Sequence, residues 1–149
     1  MAKGSKKMIS YKSRPLGITA IAGLFVFGAL ASFLAAVSLS FRGSFLEPIW
    51  QLNPHARTGF DRIGSWSILL MIVVGIACIF AVIGLWRGLM WGYWLAVAMF
   101  VVNLCANIIN VITGTEFKAI VGIPVVLLLL AYLMKKTTKA YFRAGRSYT

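Results

Sequence analysis

The sequence predicts an all-α membrane protein, a four-transmembrane-helix up-down bundle with an outward loop between helices 1 and 2. Three observations carry that expectation. Four long stretches hold no charged residue. Hydrophobic residues make up 60% of the 149 and the mean hydropathy is +0.88, against ~45–50% apolar residues in soluble domains. The 15 Lys and Arg gather mainly at the two ends of the chain.

The first uncharged run is Pro15–Phe41, 27 residues between Arg14 and Arg42. A helix crossing a ~30 Å hydrocarbon core needs ~20 apolar residues, so a span over about 16–40 is expected. The run is too long for the ~7–15-residue core of a signal peptide, and it reads as an anchor that stays. Gly28, Ser32 and Ala36 recur every four residues on one face of it. Helices in lipid associate by close backbone approach across such small residues. Ala77 and Ala81, with Gly84 close by, offer a matching face on the second span.

The segment 45–54, FLEPIWQLNP, is too apolar for a free loop. Leu46, Ile49, Trp50 and Leu52 suit a short turn lying in the membrane interface. Asn53-Pro54 reads as a break and a helix start, because Pro favours the first helical position. The stretch through His55, Phe60 and Asp61 runs on toward the second span, with Gly64 as a weak point. Glu47, Trp50, Asn53, His55 and Asp61 form a candidate lid over the stripe of Asn103, Asn107 and Asn110 in the third span.

Ile63–Trp86 and Gly88–Thr115, of 24 and 28 uncharged residues, are separated only by Arg87. Spans over about 63–86 and 89–112 must therefore pack as an antiparallel hairpin. Trp86, Trp91, Tyr93 and Trp94 around the turn read as an interfacial aromatic belt. The fourth run, Ala119–Met134, has only 16 residues. A span over about 117–134 is completed by Lys118 and Lys135, whose long stems reach the headgroups. Pro124 interrupts it and should bend it near its outer end, with Gly122 allowing close packing.

The net charge of +12 would suit nucleic acid. Its placement argues against that partner, because residues 1–14 and 135–149 read as basic tails flanking spans, where Lys and Arg set topology and meet anionic lipid. The tails and Arg87 hold 11 of the Lys and Arg, and the other side holds 4. The positive-inside rule then puts both termini in the cytoplasm. The expected location is the cell inner (plasma) membrane, with a thylakoid-type internal membrane as the alternative.

Asn103, Asn107 and Asn110 fall at i, i+4 and i+7 of the third span and share one face. An amide facing lipid leaves its donors and acceptors unsatisfied. The stripe should therefore point into the bundle or toward another subunit, toward groups such as Ser32, Ala36 and Ser67. Two readings stay open: interhelical hydrogen bonding, or a polar site open outward.

Catalytic chemistry has little to build on. His55 is the only histidine, and a metal site needs three or four convergent ligands. Of the three acidic residues none lies inside a span, so the carboxylate of an ion-coupled carrier is missing. Cys78 and Cys105 differ in expected depth by more than ~10 Å, which excludes a disulfide. Both read as small buried thiols. No metal or other cofactor is expected.

Segments 46–54, LEPIWQLNP, and 84–92, GLWRGLMWG, together with Asn103 to Asn110, Val121-Gly122-Ile123-Pro124 and Ala131-Tyr132-Leu133, resemble a bacterial family of small four-span integral membrane proteins of unknown function. The resemblance covers most of the chain between the tails. It implies architecture, and it implies an acidic residue as frequent where this chain has Asn107. It implies no activity, cofactor or substrate.

The expected function is that of a non-enzymatic accessory or structural subunit binding partner membrane proteins or lipid, in a larger membrane complex or a homo-oligomer. The alternative is an outward-facing small-ligand binding or transport module built around Asn103, Asn107 and Asn110.

Overall fold

The computed structural model describes residues 15–41, 43, 45–52, 54–114 and 119–144. The expectations for residues 1–14, Asn53, the 115–118 link and residues 145–149 lie outside the described residues. Those described form six α-helices and a 3-10 helix, with no strand. They are α1 (Leu16–Ser40), the 3-10 helix Glu47–Leu52, α2 (Pro54–Ile63), α3 (Ser65–Trp86), α4 (Met90–Ile112), α5 (Ala119–Met134) and α6 (Lys136–Ala144).

Helices α1, α3 and α4 are each long and apolar enough to cross a membrane. A fourth crossing exists if α5 and α6, bent by 55° at Lys135, count as one broken span. Their outward surfaces are greasy: Phe27, Trp66 and Leu128 are each 71% exposed. In water such a surface would drive aggregation, so the apolar helices point to a membrane location.

Helix α1 packs along α3, α3 along α4, and α4 along α5. Small residues set the first of these contacts. A Cβ placed on Gly28 would rest 3.5 Å from Cys78 Sγ, and one on Gly75 would meet the Phe33 ring at 3.0 Å. Ala36 and Ala81 are buried and Ala77 is partly covered. Gly84 does different work from the α1-facing role expected of it. It lies against Gly92 where α3 and α4 cross, so that a Cβ on either would run into the backbone of the other. The turn between them closes through Gly88, whose φ of +66° favours a residue without a side chain.

Two features near that turn differ from the sequence expectation. Tyr93 is only 2% exposed, while Trp86, Trp91 and Trp94 remain at the surface. Tyr93 belongs to the core, with its ring 5.4 Å from Trp94 and 5.3 Å from Phe142. Phe142 comes from α6, in the stretch read from sequence as tail. Helix α6 turns back so that Phe142 and Thr138 are buried, and Tyr141 lies over Gly88. Thr138 Oγ1 donates to the Tyr132 carbonyl at 3.0 Å, beside the Lys135 N–H that donates to the same oxygen at 3.3 Å, so the start of α6 is tied to the end of α5. Lys136, Lys139 and Arg143 are the basic residues of α6.

Helices α1 and α5 also meet at this end, where a Cβ on Gly17 would strike the Tyr132 ring. This is the tail end of the bundle. The opposite, loop end carries the 3-10 helix and α2.

Candidate functional site

Away from the tail end, α1 and α5 enclose a groove of about 640 Å³, with α3 and α4 as its floor. Its walls are mostly apolar, with Phe25 and Phe27 from α1, Met99 and Phe100 from α4, and Val125 and Leu129 from α5. Phe25 and Phe100 pack ring on ring at 5.1 Å. Phe27 and Val121, 71% and 68% exposed, stand on the rims, so the groove opens sideways. Two polar side chains line it: Ser32 of α1 and Asn103 of α4.

Helical spacing puts Asn103 and Asn107 one turn apart, and Asn107 Nδ2 donates to Asn103 Oδ1 at 2.9 Å. Asn107 faces α5. A Cβ on Gly122 would sit 3.0 Å from its Nδ2, so the missing side chain makes room for the amide. Asn110, one further turn along, is partly covered. Asn103 is exposed at the groove. Neither its Nδ2 nor the Ser32 hydroxyl has a hydrogen-bond partner among the described residues. If the two amides were turned over, the unpaired N–H groups would persist, because one bond uses one of four donors.

The structure brings Asn103 and Ser32 to one groove, as the sequence reading had them facing. Asn107 instead meets Gly122. Ser67 is turned away to the Gly64 carbonyl, which its hydroxyl donates to at 2.5 Å. Gly122 is legible as a packing residue, but nothing in the sequence pairs it with an asparagine. The groove itself is a product of how α5 leans on α4, which no local pattern encodes.

The loop residues gather elsewhere. Trp50 Nε1 donates to Ser38 Oγ at 2.7 Å, the Phe60 ring stands edge-on at 5.7 Å, and the Arg57 guanidinium lies over the indole at 5.4 Å. Arg57 Nε reaches Asp61 Oδ2 at 3.5 Å across one turn of α2. Trp50 is thereby held on α1 and α2. Leu46 is buried and His55 is exposed at the start of α2. Glu47 opens the 3-10 helix.

Cys78 is a buried free thiol, and Cys105 is exposed on α4 rather than buried, because that face of α4 has no neighbouring helix to cover it. Among the described residues, no three His, Cys, Asp or Glu side chains converge on a common point.

No protein-family model, curated protein or solved structure matches the chain. None of these comparisons supports the family resemblance of the sequence, and function has to be read from the geometry.

Proposed function

We propose that this chain is a non-enzymatic integral membrane protein with four crossings in up-down order and both termini cytoplasmic. It serves as an accessory or structural subunit that binds partner membrane proteins or lipid. The observation that carries this reading is Asn103, a side chain exposed near the middle of the apolar helix α4. In hydrocarbon its unpaired N–H groups are unfavourable, and a bound molecule supplying an acceptor relieves this by about 0.6–2 kcal/mol, the worth of a membrane hydrogen bond. The uncovered loop-end half of α4 supports the same reading, since Val102, Ile109 and Ile112 are all exposed there. The basic face of α6 suits anionic headgroups.

The second reading, an outward-facing small-ligand binding or transport module at Asn103, Asn107 and Asn110, draws on the groove that Asn103 lines. Purification in mild detergent separates the two. Recovery in a particle larger than the 16.3 kDa chain, with other membrane proteins or tightly held phospholipid, is the expected result. A lone chain holding a small polar solute and no lipid would overturn it in favour of the module.

A further inference from the structure

We propose that the groove between α1 and α5 is a binding site for a membrane-soluble ring carbonyl amphiphile of the quinone class, its carbonyl oxygen accepting from Asn103 and Ser32. The proposal rests on the reading of the chain as a lipid- or partner-binding membrane protein and names the chemistry of one ligand.

Size comes first. On α1 the lining runs from Leu24 to Ser32 and on α5 from Val121 to Leu129, a length of about 12 Å at ~1.5 Å per residue. The groove holds about 640 Å³ over that length and is open along one side, between Phe27 and Val121. A substituted flat ring followed by an apolar tail matches that length and volume.

Depth comes second. Ser32 lies eight residues from the end of α1 and Asn103 nine from the end of α4, so both sit about 12–14 Å below the loop end of their helices. That is a third or more of the way into a ~30 Å hydrocarbon core. The ester groups of a phospholipid stay at the boundary of that core, out of reach. A ring carbonyl on an apolar tail dissolves at this depth. The two donors without protein partners stand at the loop end of the groove, and the Phe25, Phe27, Phe100 and Met99 side chains lie along it. Apolar and aromatic walls with a few convergent polar groups are the usual make-up of a small-molecule site, as is a volume of ~300–1,000 Å³. The proposal concerns binding, and no electron or proton transfer is included.

The test uses the full chain in detergent micelles and decyl-1,4-benzoquinone as the probe, with decylbenzene as its carbonyl-free counterpart. Ala31, exposed on the groove wall, is replaced by Trp to fill it. Ala98, exposed on α4 outside the groove, is replaced by Trp as the control. The expected result is saturable quinone binding to the wild type and to Ala98→Trp, loss in Ala31→Trp, and about three- to tenfold weaker binding in Asn103→Leu, the effect of one membrane hydrogen bond. Asn103→Leu places an apolar residue in an apolar helix, so it decides the matter if Ala31→Trp does not fold. Equal binding by all variants would overturn the proposal. So would full competition by decylbenzene, which would mark an apolar crevice filled by lipid chains. A second copy crosslinked through Val125→Cys across the groove would overturn it too. In each of those cases, a wild-type particle that still retains partner proteins or phospholipid leaves the broader reading standing, whereas a bare lone chain removes both.

Discussion

Gly84 and Gly92 show what a single hydrogen in place of a side chain decides. Each lies on the backbone of the other, and backbone cannot step aside. Gly92→Ala should therefore destabilise the chain by about 1–3 kcal/mol, the usual cost of overpacking. Gly23→Ala meets nothing within 4 Å, and should leave stability unchanged or raise it by up to ~1 kcal/mol through helix propensity. Thermal midpoints of both variants in one detergent give the comparison, and equal loss in the two would contradict the packing described. Asn107 permits a second test. Its amide donates to Asn103 and fills the space at Gly122, yet a membrane hydrogen bond averages ~0.6 kcal/mol. Asn107→Leu should shift the midpoint little while changing what co-purifies, because Asn103 loses the neighbour that orients it. A large drop in both together would make the pair a purely structural tie.

At the scale of elements, α6 is the main addition to the sequence reading. Removal of the Phe142 side chain, fully buried against Tyr93, should release α6 from the hairpin. Limited proteolysis of Phe142→Ala is expected to cut after Lys136 or Lys139 much faster than in the wild type, with α1, α3 and α4 staying protected. Unchanged resistance would mean that the Thr138–Tyr132 bond alone holds the bend. The long helices were legible because an uncharged run of 22–25 residues has one solution in hydrocarbon, the helix that pairs its own backbone. Pro54 was equally legible as the start of α2, because a fixed φ opens a helix. Gly64 was legible only as a weak point in a stretch running on to the second span, and its φ of +64° breaks the helix there outright. Helix α6 was not. Its charges repeat as they would in any solvated tail, and only Tyr93, some fifty residues away in the chain, explains why Phe142 turns inward. Tyr93 was misread for the same reason: at an interface, Tyr beside Trp signals a belt until a third ring covers it. At the candidate site, the Asn face followed from spacing alone, but its partner Gly122 and the groove depend on the lean of α5.

For the whole molecule, charge and shape argue together. The two terminal segments and Arg87 hold 11 of the 15 Lys and Arg, and the contacts Gly17–Tyr132, Gly84–Gly92 and Gly88–Tyr141 gather at one end of the bundle. The proposed topology, an even number of crossings with cytoplasmic ends, would account for both facts. In it α5, with its 16 residues, would cross and the bend at Lys135 would lay α6 along the headgroups. Asn103 calls for a bound acceptor only if α4 stands in hydrocarbon. The direct measurement is a reporter that is active only outside the cytoplasm, inserted in turn beside His55, beside Arg87 and after Thr149. Activity at His55 with silence at the other two positions is the predicted result. Activity after Thr149, or silence at His55, would contradict the account.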